Sequence, residues 1–140
     1  EGRNQRSALF KTMFLAFRAA GAKDWRSHLA IALDHSGAQH RLQFHHIFPK
    51  AVLKTSFIAR EADDIANLAF IGGKTNRAIS DKAPAVYLPP LVDRLGEPAF
   101  AAQCIPVEAS LLEVESYKDF LLERRKRIAT ALNTFVGPAD

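Results

Sequence analysis

The sequence predicts an α+β domain, mostly helical, with a small pair of strands in its middle. Two observations carry this. Apolar residues recur at helical spacing near both ends of the chain, and between those stretches the pattern shortens to the alternation of a strand. The length of 140 residues suits one compact domain with one real core, so residues 1–140 are read as a single domain.

In the first helical stretch, from Arg6 to Ala20, Leu9, Phe10, Met13, Phe14 and Phe17 form a stripe, and Gly21 is a natural stop. A second helix is expected from Trp25 to Leu33, with Asp24 as its N-cap, followed by a polar loop over Asp34–His40 that contains Gly37. Leu42, Gln43, Phe44 and His45 alternate as a short strand does, and Pro49 limits its extent. A second strand fits Asn67–Ile71, with Gly72 and Gly73 as a turn and a small helix over Thr75–Lys82 before Pro84. The segment between Tyr87 and Pro98, which holds Pro89, Pro90 and Gly96, is expected to wander over the surface. Tyr117, Phe120, Leu121, Ile128, Leu132 and Phe135 mark a last helix ending at Gly137-Pro138, with Arg124, Arg125, Lys126 and Arg127 on its exposed side.

Composition narrows the class. The chain is 48% apolar and 24% charged, proportions of a folded globular protein and not of a disordered one. No apolar run approaches the ~20 residues of a membrane helix, and the start is polar, without a signal-peptide pattern. The chain begins at Glu1 instead of Met, which reads as an excised or processed piece of a longer protein. The single cysteine, Cys104, excludes an internal disulfide and a multi-cysteine zinc knot, and it fits a reducing, cytoplasmic setting. A formal net charge of +4 makes a polyanionic partner plausible.

The informative residues are Phe44-His45-His46-Ile47-Phe48-Pro49, then Asp64-Ile65-Ala66-Asn67-Leu68, then Lys74-Thr75-Asn76-Arg77. Adjacent histidines at a strand end point to opposite sides, so one can face a metal while the other faces a reacting water. Histidine suits both roles: its neutral ring ligates metals and its pKa lies near neutrality. Asn76 can offer an oxygen ligand from the start of a helix, and Lys74 and Arg77 can hold phosphate.

With its asparagines at Asn67 and Asn76, this order of residues resembles the HNH (His-Me finger) nuclease motif. The stretches Ala66-Asn67-Leu68-Ala69-Phe70, Thr75-Asn76-Arg77, Ser80-Asp81-Lys82, Pro84–Leu88 and Tyr117–Leu121 resemble the C-terminal nuclease domain of GmrSD-type restriction endonucleases. The resemblance covers Leu42–Val136. It implies a ββα-metal core over about residues 42–82 with flanking helices, clasped on one divalent ion, Mg²⁺ or Mn²⁺. It implies His46 as the general base, His45 and Asn76 as metal ligands, and Asn67 as the residue that braces the loop and helps orient the base. Arg77, Lys82, Lys50 and Lys74 would contact the DNA backbone. It further implies DNA cleavage in defence against phage, with nicking as the expectation for a monomer. An N-terminal ParB-like nucleotide-hydrolysing domain of the same protein would precede it.

His45 stands where many such enzymes carry an aspartate, so the metal site is expected to lack an anionic protein group and to accept Mn²⁺ at least as well as Mg²⁺. His28, His35 and His40 lack the spacing of a second metal site. Two other functions fit less of the pattern: a non-catalytic DNA-binding module on the same frame, and a zinc-stabilised structural module, which the want of cysteine ligands disfavours.

Overall fold

A computed structural model describes residues 2–25, 42–54, 56, 57 and 59–137. Helix α1 (Gly2–Ala19) buries Met13, Phe14 and Phe17, as its stripe requires, and leaves Leu9 exposed. Gly21, at φ 89°, closes it: the Gly21 amide donates to the Arg18 carbonyl and the Ala22 amide to the Phe17 carbonyl. That double bond pattern needs a left-handed residue after the last turn, which glycine adopts without strain. The helix expected over Trp25–Leu33, beyond Trp25 itself, and the loop over Asp34–His40 lie outside the described residues, as do His28, His35 and His40.

Strands β1 (Leu42–His46) and β2 (Leu68–Gly72) pair antiparallel, with His45 opposite Ala69 and His46 opposite Leu68. The pleat sends successive residues to opposite faces. Ala69 and Ile71 therefore join a core with Trp25, Ile47, Phe48, Leu88, Phe100, Tyr117 and Phe120. Phe70 turns the other way, among Met13, Phe14, Phe17 and Ile128. The sheet thus separates two apolar clusters. The backbone groups that Phe70 does not give to β1 are taken by buried Gln103, whose amide accepts from the Phe70 N–H and donates to its carbonyl, both at 2.8 Å.

Short helices α2 (Lys50–Leu53) and α3 (Ala59–Ala62) and a 3-10 turn (Ile65–Asn67) link the strands. Helix α4 (Gly73–Ile79) follows β2 directly. The expected glycine turn is therefore absorbed: Gly72 ends the strand and Gly73 opens the helix. The segment after Tyr87 departs from expectation altogether. It forms α5 (Pro84–Leu95), because Pro84 occupies the first helical turn, where its missing N–H costs nothing. Pro84, Tyr87, Leu88, Leu91, Val92 and Leu95 then line one face at helical spacing and pack inward, while Pro89 and Pro90 stay on the exposed side. Burial of that stripe outweighs the backbone bonds that Pro89 and Pro90 cannot make.

Helix α6 (Pro98–Ala101) leads to α7 (Tyr117–Val136), which buries Tyr117, Phe120, Leu121, Arg124 and Ile128. Arg124 corrects the expectation of an exposed basic face. It is fully buried and donates to the carbonyls of Ala66 (2.9 Å), Leu68 (2.6 Å) and Gln103 (3.0 Å). Burial lowers its pKa to about 10, which leaves it charged at neutral pH. Arg125 pairs with Asp64, and Arg127 with Glu123 and Glu108. The chain is accordingly α+β and mostly helical, with a two-stranded sheet. Among the described residues, no helix is long and apolar enough to cross a membrane.

Candidate functional site

The end of β1, the start of α2 and the side of α4 enclose a hollow of about 230 Å³ lined by His45, His46, Pro49, Lys50, Asn76, Ser80 and Asp81. Three of the residues singled out by the sequence motif thus stand together, although Asn76 lies far along the chain from the histidine pair. Thr75 helps to set α4: its hydroxyl donates to the buried Asp24 carboxylate at 2.7 Å. The next residue, Asn76, is turned toward the strand.

His45 is 2% exposed. Its Nδ1 lies 2.9 Å from Asn76 Oδ1, and its Nε2 lies 3.0 Å from the hydroxyl of Tyr87. Trp25 and Tyr87 stand edge-on to the ring at centroid distances of 5.8 and 5.6 Å. Burial in this aromatic cage is the main reason its pKa falls to about 4; the bond to Asn76 opposes the shift, and neighbouring His46 adds to it. At neutral pH the ring is therefore uncharged and keeps one lone-pair nitrogen.

His46 is half-buried, and its Nε2 bonds to Asp63 Oδ1 at 2.9 Å. Lys50 Nζ reaches the same oxygen at 3.3 Å. The His46 bond is the chief cause that holds the Asp63 carboxyl below its ordinary pKa; slight burial opposes it and Lys50 adds to it. Asp63 is held in place from both sides. The Tyr117 hydroxyl donates to the Glu61 carbonyl at 2.6 Å and Lys118 pairs with the Glu61 carboxylate. On the other side, Asp64 caps the 3-10 turn through the Ala66 N–H at 2.9 Å.

Asn67 is fully buried and serves the backbone. Its Oδ1 accepts from Phe48 N–H at 2.8 Å, and its Nδ2 donates to the carbonyls of Phe48 (3.0 Å) and Ala62 (2.8 Å). The Ile47 amide donates to the Asn67 carbonyl at 2.8 Å. Asn67 thereby fixes the two residues that follow His46 and the helix that precedes Asp63. It braces the backbone beside His46 and does not bond to the His46 ring.

The basic residues divide. Lys50 stands at the hollow; Arg77 is exposed on α4 outside its lining; Lys82 opens onto a neighbouring groove of about 340 Å³ with Trp25, Tyr87 and Arg94. The Lys74 side chain lies outside what is described.

Asp63, Tyr87 and Asp81 were not anticipated. Two carboxylates lie near the motif: Asp63 bonds to His46, and Asp81 stands at the rim of the hollow. Asp63 and Asp64 are neighbours in sequence, and nothing in their order says which faces the histidine. Tyr87 sat in a segment read as irregular.

Chemically, an imidazole nitrogen and an amide oxygen 2.9 Å apart suit adjacent corners of one divalent ion, provided that the nitrogen carries no proton. Ligands at right angles with ~2.1 Å bonds lie about 3 Å apart. Among the described residues there is no group of three or more His, Cys, Asp and Glu that could hold a metal, so water and a substrate oxygen would complete such a shell. The chain matches no known family model, no curated protein and no solved structure.

Proposed function

We propose that this chain is a divalent-metal-dependent DNA endonuclease of the HNH type, whose ββα-metal core is β1, β2 and α4. The observation that carries this reading is the convergence of His45 Nδ1 and Asn76 Oδ1 at 2.9 Å in the hollow that also holds His46. The resemblance to GmrSD-type nuclease domains supports the rest: phosphodiester hydrolysis in restriction of phage DNA, with an N-terminal ParB-like nucleotide-hydrolysing domain as partner in the same protein.

The residues divide the work. Asp63 accepts from the Nε2–H of His46, which leaves Nδ1 with the lone pair that takes a proton from water. As the proton arrives, the ring becomes cationic and the Asp63 carboxylate stabilises it. The water oxygen attacks phosphorus in line, and the bond to the leaving sugar oxygen breaks. An ion held by His45 and Asn76 would supply charge neutralisation at the phosphoryl group and the leaving oxygen. Asn67 keeps the loop after His46 from moving as the proton is taken. Lys50, beside Asp63 at the hollow, and Arg77, Lys82 and Lys74 on and beyond α4 offer cations to the phosphate backbone, which positions the duplex without reading sequence.

A supercoiled plasmid incubated with the protein in Mg²⁺, Mn²⁺ or EDTA, beside His46→Ala, tests the reading. Nicking is expected with metal, none in EDTA, and none in the variant while DNA binding persists. A folded protein that binds DNA but fails to cut it in either metal would overturn the enzyme and favour a DNA-binding module on the same frame.

A further inference from the structure

We propose that Tyr87 is a positioning residue for the metal: by donating its only hydroxyl proton to the Ile47 carbonyl, it obliges His45 to carry its own proton on Nε2. Nδ1 is then bare toward Asn76. This rests on the reading above and adds to it the residue that selects the ligating nitrogen.

The assignment follows from counting donors. Tyr87 is 6% exposed, and its hydroxyl sits 2.7 Å from the Ile47 carbonyl oxygen and 3.0 Å from His45 Nε2. A hydroxyl has one proton to give and lone pairs with which to accept. A carbonyl can only accept. If Tyr87 gave its proton to His45, two oxygen acceptors would face each other at 2.7 Å beside buried Ile47, and no rotation could relieve them. With the proton on the Ile47 carbonyl, the Tyr87 oxygen must receive one from Nε2–H. The remaining tension is at Nδ1, whose lone pair faces Asn76 Oδ1 at 2.9 Å. That tension has two remedies: the Asn76 amide can turn its NH₂ to the ring, or a cation can take both lone pairs. The chain Ile47 carbonyl, Tyr87 hydroxyl, His45 ring and Asn76 amide therefore leaves its one mismatch at the place where two ligand atoms meet. Metal-bound histidines commonly give their second N–H to such a partner, and removing the partner typically weakens metal binding by 10- to 100-fold.

A purely structural tyrosine would bury a ring and satisfy a carbonyl without moving the metal. Two measurements separate the cases. In the metal-free protein, long-range ¹H–¹⁵N correlation of the His45 imidazole reads the tautomer directly; protonated Nε2 with bare Nδ1 is expected, and protonated Nδ1 overturns the proposal. The second is a Mn²⁺ titration followed by loss of the free-ion EPR signal, on wild type and Tyr87→Phe. The variant is expected to bind about 10- to 100-fold more weakly, with a mixed His45 tautomer and a retained cooperative melt. Equal Mn²⁺ affinity in the two proteins overturns it. If Tyr87→Phe does not fold, the wild-type tautomer decides alone. No Mn²⁺ binding by folded wild type, with Nε2 protonated, overturns the metal site itself while leaving the Tyr87–His45 bond as described.

Discussion

His45 and His46 are neighbours on one strand and live in different solvents. The pleat turns His45 into an aromatic cage, 2% exposed and with a pKa near 4; it turns His46 to a half-open edge against a carboxylate. A ligand must stay neutral and keep its direction, so burial and a fixed tautomer serve it. A base must take up a proton, so it needs an anion beside it and access to water. One peptide step along a strand supplies both environments, because alternate residues face alternate sides. The lesson is that a His-His pair gains two environments from the register of the strand and not from any property of the pair.

The comparison is broken most sharply by exchanging the losses. His46→Ala should lower cleavage by about 10²–10⁴-fold and leave Mn²⁺ binding in place, whereas His45→Ala should abolish Mn²⁺ binding. Paired titrations and nicking rates check this, and the reverse pattern would invert the assignment.

Acid tests the cage next. The unfolded chain takes up a proton on His45 near pH 6.5, while the folded chain resists until about pH 4. Above pH 6.5 both states are neutral and nothing is lost. Between the two values the unfolded state holds more protons, so stability falls as pH falls, by about 3 kcal/mol in total. Urea melts in EDTA from pH 7 to pH 4 would show this, and His45→Gln should flatten the slope by up to ~1.4 kcal/mol per pH unit. An unchanged slope would mean the cage admits water.

On the open side, Asp63→Asn should slow nicking by roughly 10- to 100-fold at saturating metal, since an amide can present its NH₂ to Nε2 and stabilise the wrong tautomer. Mn²⁺ half-saturation should be unchanged, which separates this effect from that of Tyr87→Phe. The smallest effect is the choice of ion. With an imidazole ligand, Mn²⁺ should support cleavage at least as fast as Mg²⁺ at each concentration, and faster cleavage in Mg²⁺ across the titration would count against it.

Much of this was legible beforehand for physical reasons. Alternation around Phe44 and the apolar run at Leu68–Ile71 gave the strands, and spacing of Tyr117, Phe120, Leu121 and Ile128 gave α7. The strand period puts His45 and His46 on opposite sides, and the motif points to Asn76 as a partner of His45. What stayed hidden depends on burial and orientation, which local residue types do not report. Pro89 and Pro90 masked a helical stripe that runs from Pro84 to Leu95, and Tyr87 was lost with it. Arg124 sits in a run of four basic residues, where nothing local tells the buried member from its solvated neighbours; only its helical spacing from Tyr117, Phe120 and Ile128 marks it. Asp63 and Asp64 differ only in which way a turn sends each carboxylate.

His45, His46, Asp63, Asn67, Asn76 and Tyr87 fall in one uninterrupted stretch of chain, while the guanidinium that binds the carbonyls of Ala66 and Leu68 comes from far downstream. Such an arrangement can be inherited as a cassette. Recombination that moves residues 42–87 into another helical surround carries these six side chains along in their own register, but not Trp25, which stands edge-on to His45. Arg124 does not travel with it. A descendant that keeps the cassette and loses a cation at that place would retain all six residues in its sequence and still leave the carbonyls of Ala66 and Leu68 without their donor.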